Sequence, residues 1–150
     1  MILTNLIAGW LADRLVKKSG DIFGIRVLFA AVGLFGASSV LLLNFTSAPA
    51  LLLPILLLCS CSYGVYASNF WTIAQTASPV PMVGRTIGYL NTLSQTAGAL
   101  APLITGLTLG PTKDFRFAIW IAGLCPLVGG ACILVAGKNI ARLRENLESR

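Results

Sequence analysis

The sequence predicts an all-α integral membrane fold of about four transmembrane helices, preceded by part of another. Three observations carry this. Of the 150 residues, 56% are hydrophobic and only 11% are charged, whereas a soluble domain carries about 25% charged residues and needs them to cover its exterior. No charge occurs between Arg26 and Arg85, between Arg85 and Lys113, or between Arg116 and Lys138. A span needs about 20 mostly apolar residues, so the first gap holds two helices and the others one each. Finally, the basic residues sit at the ends of the apolar runs. With four spans, Arg14, Lys17, Lys18, Arg26, Arg85, Lys138, Arg142, Arg144 and Arg150 fall on one side of the membrane, and only Lys113 and Arg116 on the other. That bias makes the first side cytoplasmic and puts the C-terminus inside.

The elements follow in order. Residues 1–12 are apolar but too few to span, and their basic residues come after them, opposite to a secretory signal. They are expected to be the end of a truncated transmembrane helix, followed by a cytoplasmic loop over 13–24. The first full span is expected over about 25–45, with a small-residue patch at Gly33, Gly36, Ala37, Ser38 and Ser39 that suits close helix packing in lipid. A turn at Asn44–Pro49 leads to a second span, about 51–76. Its first half is nearly all leucine, and its second half carries Ser60, Ser62, Tyr63, Tyr66, Ser68, Asn69, Trp71, Thr72 and Gln75. Ser78-Pro79-Val80-Pro81 breaks it. The third span, about 86–109, carries Asn91, Thr92, Ser94, Gln95 and Thr96. Gly98, Pro102 and Gly106 follow at four-residue spacing on one face, and the proline is expected to kink the helix. A fourth span over about 115–136 precedes a charged, amphipathic cytoplasmic tail, 137–150, expected to be a helix on the membrane surface.

The net charge of +6 is topological and meets lipid headgroups. No basic stripe interleaved with aromatics points to nucleic acid. The four cysteines, Cys59, Cys61, Cys125 and Cys132, lie inside apolar runs, and there is no histidine. They are expected to be small buried apolar residues, so no metal site is predicted. The carboxylates Asp13, Asp21, Asp114, Glu145 and Glu148 fall at the membrane surfaces. No nucleophile–base pair can be assembled, so no enzyme is predicted.

Polar side chains within a span turn toward protein or a water-filled cavity. Ser68, Trp71 or Thr72, and Gln75 share one face of the second span, and Asn91 and Gln95 one face of the third. The short connection makes these helices neighbours. One reading is a solute site, with amides and hydroxyls holding a polar solute and Trp71 packing on its carbon skeleton. The other is interhelical hydrogen bonding that holds the bundle together. Composition does not choose between them.

Two motifs carry a resemblance. Gly9-Trp10-Leu11-Ala12-Asp13-Arg14, followed by Lys17-Lys18, resembles the cytoplasmic loop signature of the major facilitator superfamily, with Val16 where its second glycine is expected. That departure matches the weaker copy of the signature, between helices 8 and 9. Ser68-Asn69-Phe70-Trp71-Thr72-Ile73-Ala74-Gln75-Thr76, with Gly84-Arg85, Gly88, Asn91, Gly98 and Pro102, is similar to helices 10 and 11 of the anion:cation symporter family. Its members carry sugar acids, organic anions or phosphate. The resemblance implies the end of helix 8 through helix 12, part of the C-terminal six-helix half of the fold. It places Ser68, Trp71 and Asn91 at the substrate cavity, beside Gln75 and Gln95 from the shared faces. It assigns Gly9, Asp13 and Arg14 to a gating loop whose partner helix lies in the missing N-terminal half.

The resemblance further implies secondary active transport of a small organic anion, a sugar acid or carboxylate, by alternating access. No cofactor is expected beyond a coupling H+ or Na+. The partners are the anion, the lipid bilayer and the missing half, in the plasma membrane (bacterial inner membrane). These 150 residues alone are expected not to transport. The competing expectation is a small non-transporting membrane protein that assembles with partners through its Gly/Ala/Ser faces.

Overall fold

The computed structural model describes residues 2–46, 48–109 and 115–148. Those residues form helices and no strand. α1 runs Ile2–Ser19 and α2 Ile22–Ala37. A 3-10 segment, Ser38–Asn44, continues α2. α3 is Pro49–Ala77, and after a 3-10 turn at Val80–Met82 come α4, Val83–Leu109, and α5, Arg116–Glu148. Lys113, Asp114 and Arg150 of the charge pattern lie outside the described residues.

The boundaries have local causes. α1 does not stop at Ala12 but continues through Asp13, Arg14, Lys17 and Lys18. All of the expected loop except Gly20 and Asp21 is therefore helix, because nothing from Asp13 to Ser19 breaks one and α2 already starts at Ile22. The break comes at Gly20, whose φ of 77° no other residue type adopts cheaply. Its N–H closes α1 on the Val16 carbonyl at 2.8 Å. Asp21 then caps α2, its Oδ1 accepting from the Gly24 N–H at 2.8 Å. α3 starts with Pro49 in its first turn, where a missing N–H is harmless. α4 runs through Pro102 as one element. The tail and the last span form one helix, α5, with no break between them.

α2 is the centre of the packing. Phe23, Val27, Ala30, Ala31, Leu34 and Ala37 are buried, and α3 and α5 both lie along the helix. The α2–α3 contact is close because Gly33 and Gly36 present no side chain. A Cβ on Gly33 would lie 2.7 Å from the Ser62 carbonyl oxygen, and one on Gly36 would strike the Ser62 side chain. α5 runs antiparallel to α2 through three glycines seven residues apart: Gly123 meets Leu41, Gly130 meets Phe35 and Gly137 meets Val27.

The 3-10 stretch loosens backbone hydrogen bonds where lipid offers no replacement. Side chains supply some. Ser38 Oγ donates to the carbonyls of Leu34 and Phe35, at 3.2 and 2.7 Å, and the Cys59 thiol donates to the Ala37 carbonyl at 3.2 Å. Cys59 and Cys61 are half-buried, but Cys125 and Cys132 are exposed. The expectation that all four are buried holds for none of them fully, because α5 covers only its glycine face.

Three helical stretches are long and apolar enough to cross a membrane: Ile22–Asn44, Pro49–Ala77 and Arg116–Asn139. α4, at 27 residues, is about 40 Å long, also sufficient for a hydrocarbon core of about 30 Å. Its amides and hydroxyls lower its hydropathy. It packs only lightly on α3 and α5, and Asn91 through Leu100 are all exposed.

Candidate solute site

Ser68 lies nine residues before the end of α3, about 14 Å along the axis at 1.5 Å per residue. Asn91 lies eight residues after the start of α4, about 12 Å in. α3 and α4 are joined at that end, so the two residues lie about equally far from the connection.

On α3, Ser68 and Trp71 are half-buried and Gln75 is exposed. Ser68 Oγ donates to the Val65 carbonyl at 3.1 Å, and Thr72 Oγ1 donates to the Ser68 carbonyl at 3.2 Å. Trp71 meets Phe70 edge-on, with centroids 5.5 Å apart. Phe70 continues a string of rings through Tyr66 to Tyr63, at 5.3 and 5.6 Å. On α4, Asn91 and Gln95 are exposed. The α3 and α4 groups are therefore on adjacent helices, with Ser68 and Asn91 about equally far from the connection, Gln75 nearer to it and Gln95 farther, and the structure does not close them around an enclosed cavity.

Gly9, Asp13 and Arg14 all lie on α1. Gly9 is half-buried with open space at its Cβ position. Arg14 stacks over Trp10, 5.4 Å from the ring centroid. Asp13 accepts from Arg26 Nη2 in an ion pair. Asp13 thus has a partner within this chain, and its side chain is still 59% exposed. Residues 22–26 form the first turn of α2, and that turn packs against α1, so Arg26 is already at hand.

Two residues outside the predicted set join this site. Arg26 is 9% exposed and Asn69 is 0% exposed. Arg26 Nη1 donates to Asn69 Oδ1 at 3.4 Å. Asn69 Nδ2 in turn donates to the Val65 carbonyl at 2.9 Å and to Ser68 Oγ at 3.2 Å. A buried guanidinium in a span demands acceptors, and α1 and α3 each supply one. Arg26 had been counted as a topology charge. Asn69 lies about 100° around the helix from Ser68, off the polar face. Its register did carry a signal: Ile55, Ser62 and Asn69 repeat every seven residues, and that face meets α2.

No group of three or more metal-ligating side chains is present among the described residues. The described geometry is a set of neutral hydrogen-bonding groups and an indole on two adjacent helices, with the half-exposed Asp13–Arg26 ion pair behind them.

The long apolar helices, with the Gly-Trp-Leu-Ala-Asp-Arg stretch on α1, define an all-α integral membrane protein. Residues 1–102 match the Major Facilitator Superfamily, and the chain belongs to that family. Among curated proteins it is 25% identical to the probable galactarate/D-glucarate transporter GarP of Escherichia coli, over 93% of this chain and 31% of that protein. It is 28% identical to a D-galactonate transporter of Escherichia coli, over 92% of this chain and 32% of the relative. With the probable galactarate/D-glucarate transporter GudP of Bacillus subtilis it shares 25% over 79% of this chain and 26% of the relative. The chain thus spans about a third of the length of the curated relatives it matches. No solved structure matches.

Proposed function

We propose that this chain supplies the α3–α4 wall of the solute site in a secondary carrier of sugar acids, working by alternating access. The observation that carries this is the polar face of Ser68, Trp71 and Gln75 on α3, with Ser68 level with Asn91 on the adjacent α4 and Gln95 one turn further along it, in a chain whose relatives are named as galactarate, glucarate and galactonate transporters. Hydroxyls and amides suit the polyol of a sugar acid, and Trp71 suits its C–H faces. Among the described residues no cationic side chain lies on that wall. The charge complementary to the carboxylate therefore belongs to another half of the carrier, as does the coupling site for H+ or Na+. The orientation follows the basic residues, with the C-terminus cytoplasmic and the carrier in the plasma membrane, the inner membrane of a bacterium.

Alternating access needs two halves rocking about a central site, so the 150 residues alone do not transport. The test is uptake of radiolabelled galactarate by cells expressing this chain alone, or together with the whole of the Escherichia coli GarP sequence that precedes the region this chain matches. Uptake only in the paired cells is expected. Uptake by the chain alone would refute the two-half requirement, and no uptake in either, with both pieces in the membrane, would refute the transport reading.

A further inference from the structure

The three helices that pack most closely, α2, α3 and α5, are all interrupted at one level. In the first span the α-helix gives way to 3-10 turns at Ser38–Asn44. α3 carries Pro54 and α5 carries Pro126 inside the helix. Neither proline has an N–H to give to the carbonyl four residues before it, that of Ala50 or of Ala122. The helix registers set both prolines beside the 3-10 stretch. The Cys59 thiol meets the Ala37 carbonyl, and Pro54 lies five residues further along the antiparallel α3, about 7–8 Å, which is level with Leu41. On α5, Gly123 meets Leu41 and Gly130 meets Phe35, so Pro126 falls between them, level with Ser38 and Ser39.

An intact α-helix resists bending because its i→i−4 bonds must stretch. A 3-10 stretch inside a helix has poorer bond geometry, and a proline removes one bond, so both are places where helices bend. One such interruption is held straight when the neighbouring helices are intact. Here each of the three packed helices is interrupted where the other two are, so none of them splints the others. The layer also holds unused hydrogen-bonding groups. Ser39 Oγ and both amide atoms of Asn44 are buried without a partner, which is unusual for buried polar groups. These donors lie in the same layer as the carbonyls that Pro54 and Pro126 leave free, so a bend can pair them.

We infer that this layer is a hinge, about which the ends of α2, α3 and α5 remote from Asp13 bend as one body. The inference does not depend on the solute site. Ser68 lies fourteen residues beyond Pro54 on α3, about 21 Å away, and the Asp13–Arg26 pair lies at that same end of the bundle. The bend therefore moves the leucine-rich end of α3 and leaves Ser68, Arg26 and Asp13 in place. The glycine contacts at Gly33 and Gly130 hold the rigid part together.

The first readout is backbone hydrogen exchange of the chain in lipid nanodiscs, followed by mass spectrometry. Peptides covering 38–44 and 122–128 are expected to exchange about tenfold faster than those covering 27–33 and 130–136 of the same spans. Pro126→Ala restores a bond in α5 alone, yet it is expected to slow exchange about threefold in 38–44 as well. Pro54→Ala, in α3, is expected to slow both stretches, and it carries the test should Pro126→Ala fail to fold by circular dichroism. Slowing confined to the helix that holds the substitution overturns the shared hinge. The second readout is the separation of spin labels on unnatural side chains at the exposed Leu28 and Leu42, one on each side of the start of the 3-10 stretch. Two separations are expected in the native chain, and only the longer one in Pro126→Ala. A single narrow separation in the native chain, even with fast exchange at 38–44, means local fraying without a bend and overturns the inference.

Discussion

Trp71 and Arg26 are the residues whose side chains do most for their size, for opposite reasons. Trp71 is a large half-exposed apolar surface in the middle of a polar face. Substituting Trp71→Ala removes stacking area from a solute without uncovering a buried core, so binding is expected to weaken about tenfold, or about 1.4 kcal/mol. Membrane levels of the protein should stay within a factor of two. Galactarate KM and an immunoblot of the same cells decide this, and normal KM with lost protein would make the residue structural. Arg26 is the reverse case. Its replacement by Leu leaves Asn69 Oδ1 buried without a donor, a loss of about 1–3 kcal/mol. Removing Asp13 instead leaves the buried Arg26 guanidinium without its carboxylate, which costs about 3–5 kcal/mol where burial is complete and less here, since Asp13 is itself exposed. Asp13→Ala is therefore expected to lower the thermal midpoint in nanodiscs by at least as much as Arg26→Leu does. A clearly smaller shift for Asp13→Ala would show that water or another acceptor satisfies Arg26.

At the level of elements, close approach of backbones organises the packing. Lipid tails are as apolar as leucine, so helices associate in a membrane through shape and hydrogen bonds rather than through escape from the solvent. Gly33 and Gly36 bring α2 onto α3, and Gly123, Gly130 and Gly137 bring α5 onto α2. Gly33→Ala would push a methyl into the backbone of α3 near Ser62 and Tyr66, where nothing flexible can give way. A loss of about 1–3 kcal/mol is expected. Gly88→Ala on α4 meets nothing within 4 Å and gains helix propensity of up to about 1 kcal/mol. The two should shift the thermal midpoint in opposite directions, and a loss of similar size at Gly88 would mean that α4 is covered by another surface in the assembled protein.

For the whole molecule, orientation and completeness matter most. The continuous α5 delivers its charged end to the side that also receives Arg14, Lys17, Lys18, Arg26 and Arg85. A green fluorescent protein fused after Arg150 is expected to fluoresce, and alkaline phosphatase at the same position to be inactive. The reverse pair of results would invert the topology. Residues 91–100 of α4 and Gln75 of α3 are exposed, a surface that the proposed carrier would cover with its remaining helices. That arrangement has the paired-half uptake experiment as its direct measure.

Much of this was settled by the chain of amino acids itself. Charge-free runs set the spans, because a charge inside hydrocarbon is strongly disfavoured and leaves a visible gap. The two motifs made the family legible, and the match covers residues 1–102. The polar faces of α3 and α4 followed from helical spacing, since residues three and four apart share a side. Partnership was another matter. Arg26 was indistinguishable from any other basic residue at a span end until α1 and α3 were folded against it, and Asn69 sat off the polar face. The glycine ladder of α5 had meaning only once its antiparallel register with α2 was known. Spacing along one helix is fixed by its own geometry, whereas pairing between helices depends on rotation and register that no single segment contains. Only the tertiary structure brought Asp13, Arg26, Asn69 and Ser68 into one path.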